Sequence, residues 1–194
     1  MKLDKAAKDS FKNIFDVILW GSVGALAIVL AFFCVFTFTP YKLVSVHGPS
    51  MEPTFTNGDL LVLKQTDEIK RNQIAVFALP KDWSSSVADT TGQNLIKRVV
   101  AKPGDQLTFN GTKVLIQSPE NEKYELIEPK IVRCNLPVGS TVEVPPGTHF
   151  LAGDNRVQSF DSMEAWCNGL NPFVSDETLI INGDVSQRIH WFNF

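Results

Sequence analysis

The chain has 194 residues, a formal net charge of −3 and 44% hydrophobic residues. This length suits one domain of ordinary size, or a domain with a small inserted lobe. The acidic balance argues against a nucleic-acid-binding protein, because such proteins bind phosphates through basic surfaces. The three histidines and three cysteines lack the spacing of a zinc site, so we predict no metal and no cofactor.

The N-terminal part contains one long uncharged segment. No charged residue occurs from Val17 to Tyr41, and this run exceeds the roughly 20 apolar residues that a helix needs to cross a bilayer. We therefore predict a transmembrane helix over residues 17–41, preceded by a cytoplasmic tail over residues 1–16. A cleavable signal peptide is the alternative, but its apolar region would span only about 7–15 residues.

The charges flanking this segment predict its orientation. The first twenty residues after it contain a single basic residue, Lys42, whereas four lysines precede it: Lys2, Lys5, Lys8 and Lys12. Basic residues concentrate on the cytoplasmic side of membrane helices. The N-terminus should therefore be cytoplasmic, with residues 42–194 on the other side of the membrane.

The part beyond the membrane segment is predicted to be mostly β. Short runs rich in β-branched and aromatic residues are bounded by Gly, Pro, Asn and Asp, and Asn110-Gly111 is typical of a hairpin turn. Only 162–170 indicates a short helix, and 81–94 and 117–130 look like solvated connections. The predicted strands lie at 60–64, 74–80, 96–103, 106–116, 140–146 and 149–153.

Two features of this outer part have open interpretations. Cys134 and Cys167 could pair in an oxidising compartment, but the sequence does not fix their separation, so a disulfide and two free thiols are equally compatible with it. The terminal sequence HWFNF (190–194) fits an interfacial aromatic anchor or, as we prefer, a last core strand, since Trp191 alternates with its neighbours.

Ser50 is a candidate nucleophile. It lies between Pro49 and Met51, with Pro53 close behind, so the backbone is restrained and cannot be ordinary helix interior. A turn serine bonded to its own backbone is the simpler interpretation. The segment nearly matches the G-x-S-x-G elbow of α/β-hydrolases, but Glu52 replaces the second glycine and the alternating strand-helix pattern is absent.

Lys97 is the candidate base for this serine. His47 is too close in sequence to assign as its partner, and His149 and His190 lie in strand-like contexts that suggest packing. Lysine acts as a base only when neutral, and burial in a strand lowers its pKa. Strand alternation places Lys97 and Arg98 on opposite faces, so only one of them points inward. An ordinary solvent-facing pair is the alternative.

Three separated segments then match one pattern. They are GPSMEPT followed by GDLLVL, LIKRVVAKPGD, and GDNRVQSFDS at 153–162. In this order and behind a membrane anchor, the chain resembles the bacterial type I signal peptidases, which use a serine and a lysine. The resemblance covers most of the segment from Ser45 to Ser162.

The resemblance implies a role for individual residues. Ser50 would be the nucleophile and its backbone N–H an oxyanion donor, while Lys97 would be the general base, acting as a neutral amine. Ser159 would hydrogen-bond Lys97 and orient it. Asp161 and Arg156 would support the third segment through ion pairing and backbone hydrogen bonds.

The resemblance also implies a substrate pocket and shows two departures. Met51, Leu95 and Ile96 would form shallow apolar pockets for the small residues of an Ala-x-Ala site. Gly48 stands where some relatives have a serine whose hydroxyl completes the oxyanion hole. Met163 stands where the family often has arginine, which would deprive the preceding aspartate of its usual ion-pair partner.

The implied protein is a membrane-bound serine endopeptidase that removes signal peptides from exported precursor proteins. Its fold would be an antiparallel β-sheet catalytic domain with a small inserted β lobe at about 104–147. It would lie in the bacterial inner (cell) membrane, in contact with the lipid bilayer, with the catalytic domain on the periplasmic or extracytoplasmic side.

Three alternatives accompany this prediction. The departures also fit the related peptidases of conjugative transfer systems, which process pilin precursors. A non-catalytic, membrane-tethered β module would use the same residues only structurally. A self-cleaving regulator with a serine–lysine pair would carry a DNA-binding segment at its N-terminus, and the membrane helix argues against it.

Overall fold

The computed structural model describes residues 2–66, 68–84, 94–120, 122–127 and 134–189. The chain divides into two units, residues 1–40 and residues 41–194. Within the described residues the first unit is a helix and the second contains every strand, so the prediction of a mostly β protein that follows one N-terminal apolar helix is confirmed.

Helix α1 (Lys2–Phe38) makes up the first unit. Its apolar part, Asp9–Cys34, has 26 residues and a mean hydropathy of 2.4. At ~1.5 Å per residue this part is about 39 Å long, which exceeds the roughly 30 Å hydrocarbon core of a bilayer. Residues 2–16, predicted as a tail, continue the same helix.

In the described residues the second unit contains eleven strands, two short α-helices and one 3-10 turn at Asp176–Thr178. Most of the predicted strands occur within a residue or two of their expected bounds. In chain order the elements are β1 (Tyr41–Ser45), β2 (Leu60–Gln65), β3 (Ile74–Ala78), α2 (Lys81–Ser84), β4 (Asn94–Ala101), β5 (Gln106–Phe109), β6 (Lys113–Gln117), β7 (Lys123–Ile127), β8 (Thr141–Glu143), β9 (Thr148–Ala152), α3 (Ser162–Cys167), β10 (Val174–Ser175) and β11 (Leu179–Ile189).

Seven strands form the larger sheet, in the order β1-β2-β11-β3-β4-β9-β10. All the paired neighbours are antiparallel. The last strand, β11, lies between β2 and β3, and Gly183 in it packs so closely on the Lys64 carbonyl that a β-carbon would overlap it. The C-terminal strand therefore joins the two halves of the sheet.

The other four strands form a smaller sheet, in the order β7-β6-β5-β8. It falls within the interval 104–147, where we expected an inserted lobe. Its β5–β6 hairpin turns at Asn110-Gly111, where the Asn110 side chain accepts the Lys113 backbone N–H at 2.9 Å. Leu107 and Phe109 of this sheet share a buried cluster with Phe150 of the larger one, so the two sheets pack on a common core.

Two segments predicted as solvated connections contain ordered structure. In 81–94, helix α2 buries Trp83 completely, and the indole donates to the Asn171 carbonyl at 2.7 Å; residues 85–93 lie outside the described range. In 117–130, β7 pairs with β6 along its whole length. Both predictions were wrong at these places, because polar neighbours concealed one buried aromatic residue and one edge strand.

The predicted short helix in 162–170 is present as α3, and its C-terminal residue forms a disulfide. Cys167 pairs with Cys134, with Cα atoms 4.7 Å apart. The pairing that the sequence left open is therefore made. The terminal sequence HWFNF, at 190–194, lies outside the described residues.

Candidate active site

Lys97 lies in the middle of β4, between two neighbouring strands. Its side chain is 2% exposed, and β4 pairs with β3 on one side and β9 on the other. Arg98 points to the opposite face and is ion-paired there. Lys97 and Arg98 thus lie on opposite faces of β4, and Lys97 is the one whose side chain points into the protein.

Ser50 lies in the loop between β1 and β2. Gly48 in this loop has φ +81°, a conformation that favours glycine, and its backbone N–H donates to Asn57 Oδ1 at 3.0 Å. Asn155 holds the loop from the other side, because its N–H donates to the Ser50 carbonyl at 3.0 Å and its Nδ2 to the Pro49 carbonyl at 3.1 Å.

The loop and the strand bring Ser50 and Lys97 into contact. The Lys97 amine donates to Ser50 Oγ at 2.8 Å and to the Ile96 carbonyl at 3.0 Å. The two residues are 47 positions apart in sequence. A half-buried hydroxyl and a buried amine in direct hydrogen-bond contact can exchange a proton.

The third sequence segment holds the backbone of Gly153 next to this pair. Asp161 Oδ2 accepts the Gly153 N–H at 2.9 Å, and Arg156 Nε donates to the Gly153 carbonyl at 2.7 Å. Asp161 Oδ1 also accepts the Met163 N–H at 3.0 Å and caps α3. Asp161 therefore makes backbone hydrogen bonds where the family's usual arginine partner is absent.

Gly153 is the point of closest approach between the third segment and the nucleophile loop. A β-carbon at this position would overlap the Ser159 side chain and lie 2.5 Å from the Ser50 carbonyl oxygen. Ser159 is 3% exposed. The fold therefore places Ser159 beside the backbone of Ser50, and its hydrogen bond to Lys97 stays a prediction.

An ion pair lies on the face of β4 opposite to Lys97. Arg98 Nε and Nη2 donate to the two carboxylate oxygens of Asp154 at 2.8 and 2.6 Å. Burial alone would raise the pKa of Asp154, but hydrogen bonds from Arg98 and Thr54, with the charges of Arg98 and Arg156, hold this pKa below its usual value. The carboxylate therefore stays charged and keeps its ion pair with Arg98.

An open cleft leads to Ser50 and Lys97. Its volume is about 540 Å³. The lining is mostly aliphatic, from β1, β3, β4 and β11, and it includes Leu95 and Ile96. The lining residues are Leu43, Val44, Ser45, His47, Ser50, Val76, Asn94, Leu95, Ile96, Lys97, Ile180 and Ile181.

Met51 does not line this cleft. It is fully buried in the cluster that contains Val46, Phe55 and Leu61, so its place in the pocket wall is corrected to a place in the core beneath the loop. The Met51 side chain therefore packs in the core and holds the nucleophile loop in place.

Sequence reasoning missed several residues that hold the site. Asn155, Asp154 and Gly153 lie inside the recognised third segment, but their contacts with the nucleophile loop and β4 depend on pairing across more than 50 positions. Asn57, whose side chain accepts the Gly48 N–H, belongs to no motif that could have indicated this role. Only the position of the segment in a matching motif indicated that these residues would be near the site.

A family model described as signal peptidase, peptidase S26, matches residues 17–187. The chain belongs to the signal peptidase family. It is similar to signal peptidase I T of Bacillus subtilis (strain 168), with 30% identity over 183 residues, covering 89% of this chain and 85% of the relative. It is also similar to signal peptidase I P of Bacillus subtilis subsp. natto, with 29% identity over 177 residues, covering 86% and 87%.

A solved signal peptidase I from Enterococcus faecalis V583 also matches, with 21% identity and a TM-score of 0.39, covering 62% of this chain and 98% of that one. As a member of the signal peptidase family, the chain is a serine endopeptidase that removes signal peptides. The N-terminal helix is long and apolar enough for a membrane anchor.

Proposed function

We propose that this signal peptidase cleaves exported precursors after a small residue through a Ser50–Lys97 dyad. The observation that carries the proposal is the 2.8 Å contact between the Lys97 amine and Ser50 Oγ, with the lysine side chain almost fully buried. Direct contact gives the hydroxyl a base, and burial keeps that base from water.

Burial is the physical reason why lysine can be this base. Desolvation disfavours the ammonium form, so we expect it to lower the pKa of Lys97. The amine accepts a proton only in its neutral form, and each pKa unit of depression makes the neutral fraction about tenfold larger at a fixed pH below the pKa. An exposed lysine could not serve the same purpose near neutral pH.

The reaction then proceeds in two halves. Ser50 Oγ attacks the carbonyl carbon as Lys97 takes the hydroxyl proton, and that proton passes to the leaving amine when the peptide C–N bond breaks. A water then attacks the ester, Lys97 takes a proton from the water, and Ser50 recovers a proton as the ester C–O bond breaks. Ser159, placed beside the Ser50 backbone, would orient the amine throughout.

The Ser50 backbone N–H is the donor that we assign to the developing oxyanion. Gly48 carries no hydroxyl, and its N–H is already directed to Asn57 Oδ1. Asp161 and Arg156 support the site by holding the Gly153 backbone.

The aliphatic cleft supports selection of small apolar residues such as those of an Ala-x-Ala site. Leu95 and Ile96 line it immediately before the lysine in β4. We further propose that the protein is anchored in the bacterial inner membrane with a cytoplasmic N-terminus, because the lysines cluster before the apolar segment. The catalytic domain would then meet precursors on the extracytoplasmic side, without metal or nucleic acid.

Cleavage of a precursor with an Ala-x-Ala site by the detergent-purified full chain tests this proposal. Ser50→Ala and Lys97→Ala should each abolish cleavage, because one removes the nucleophile and the other its base. Lys113→Ala removes a partly exposed lysine on the smaller sheet; this variant is the matched control and should cleave normally. Full cleavage by the Lys97 variant would reject the dyad.

The same assay separates the alternative functions. A non-catalytic module would leave every precursor intact. A peptidase dedicated to pilin precursors would cleave such a precursor and leave the general one uncut, and both activities would require Ser50.

A further inference from the structure

The nucleophile loop and the lysine strand are joined in the larger sheet by the C-terminal strand. The loop leads directly into β2, whereas Lys97 lies in β4, which pairs with β3. In the sheet order, β11 lies between β2 and β3 and pairs with both. The position of Ser50 relative to Lys97 is therefore set across β11.

Arg188 of β11 binds the loop that follows the nucleophile. Its Nη1 donates to the Thr54 carbonyl at 2.6 Å, and its Nη2 lies 2.7 Å from Asp59 Oδ2. The guanidinium also lies over the Phe55 ring, 5.8 Å from the ring centroid. One side chain thus contacts both ends of the segment 54–59.

The segment 54–59 in turn holds the backbone on both sides of Ser50. Before the nucleophile, the Val46 N–H donates to the Asp59 carbonyl at 2.8 Å, and the Gly58 N–H donates to the Val46 carbonyl at 2.9 Å. After it, the Phe55 N–H donates to the Met51 carbonyl at 2.9 Å. A displacement of the segment would therefore move the nucleophile.

The same segment is connected to the lysine side of the site. The Thr54 side chain helps to lower the pKa of Asp154, and this carboxylate forms the bidentate ion pair with Arg98, the neighbour of Lys97. Arg188 therefore completes a series of contacts that runs from β11 through Thr54 to β4.

Charge and burial explain why an arginine suits this position. The Asp59 side chain is only 2% exposed, and that of Arg188 is 28% exposed. A buried carboxylate that loses a charged partner is strongly destabilised. Arginine can donate from two different nitrogens of its planar guanidinium to a carbonyl and to a carboxylate. A lysine would have to make both contacts from a single nitrogen.

We propose that Arg188 is a positioning residue that sets the alignment of Ser50 with Lys97 from the C-terminal strand. It does not line the cleft, so it acts through the loop. This inference rests on the proposed dyad, and a displaced nucleophile should reduce the chemical step more than substrate binding.

Steady-state cleavage of the Ala-x-Ala precursor by full-length Arg188→Ala tests the inference, with rates expressed per folded molecule. Since a misplacement near 1 Å can cost about 100-fold in rate, we expect kcat to fall about 10- to 100-fold with KM nearly unchanged. The pH midpoint of kcat/KM should not move, because the burial of Lys97 is untouched. Arg188→Lys should recover part of the loss.

The matched control is Arg71→Ala, which removes another arginine from a buried aspartate. Arg71 Nη2 lies 2.8 Å from Asp105, whose side chain is fully buried, and its guanidinium stacks on Tyr124. This variant should lose stability but keep kcat per folded molecule. A loss of kcat in Arg188→Ala beyond that of the control supports positioning.

A wild-type kcat in folded Arg188→Ala, or a loss equal to that of the control, would overturn the inference. If Arg188→Ala does not fold, Arg188→Lys decides: a reduced kcat with an unchanged pH midpoint supports the inference, and a wild-type kcat overturns it. Ser50→Ala is measured in parallel. If that variant still cleaves, the proposed dyad itself fails, which is distinct from failure of the role of Arg188 alone.

Discussion

Replacing Gly153 by alanine should disable the enzyme although neither residue of the dyad is replaced. The added methyl group would lie 2.5 Å from the Ser50 carbonyl oxygen and 2.6 Å from Ser159 Cβ. Ordinary contacts begin at 3.4 Å, so each neighbour would have to move by roughly 1 Å. Both neighbours belong to the site, and neither is the free end of a long side chain.

The size of this displacement sets the expected effect. A misplacement of about 1 Å at a reacting group can cost on the order of 100-fold in rate, whereas overpacking a core costs about 1–3 kcal/mol of stability. We therefore expect Gly153→Ala to remain mostly folded and to lose about 100-fold in kcat. Precursor cleavage, normalised to the folded fraction from thermal unfolding, measures this.

Gly183→Ala is the matched control, because its methyl group would overlap the Lys64 carbonyl instead of the nucleophile loop. It should lower the melting temperature, with a smaller loss of kcat per folded molecule than Gly153→Ala. A folded Gly153→Ala enzyme with wild-type kcat would refute the reasoning, since it would show that the site absorbs the displacement.

Two further predictions concern stability. His149 is buried, and loss of hydration lowers its pKa; the nearby Asp176 opposes this but is half exposed and therefore screened. The unfolded chain then takes up the proton first, so the free energy of unfolding should fall as pH drops below about 6.5. Urea titrations should show this dependence weakened in His149→Gln, and an unchanged dependence would contradict it. Replacing both Cys134 and Cys167 by serine opens a linkage across 33 residues and should cost about 3–4 kcal/mol in the same assay; a cost near zero would contradict the chain-entropy estimate.

The residues of the site that could be predicted from the sequence are those that lie in recognised motifs. Ser50, Lys97 and Ser159 lie in three short segments whose order matched a family pattern, and the structure brings the first two into contact. Met51 was misplaced, because a motif identifies a neighbour of the nucleophile without showing whether its side chain faces the cleft or the core.

The C-terminal strand shows where sequence patterns are insufficient. Asn182-Gly183-Asp184 is typical of a turn, yet these residues lie inside β11, where Gly183 and Asp184 pair with β2 and Asn182 pairs with β3. Gly183 is required there by close backbone packing against Lys64. Long-range pairing decided the structure of this segment, and a local pattern could not indicate it.

The ionisation of the Lys97 amine tests the central claim most directly. Heteronuclear NMR titration of labelled lysine side chains in the full chain in detergent, with Lys97→Met to assign the resonance, would follow this amine separately from the exposed lysines. We predict that it loses its proton well below the pH at which solvent-exposed lysines do, and in step with the rise of kcat/KM. A Lys97 amine that titrates together with the exposed lysines, and stays charged while the enzyme is active, would contradict the mechanism.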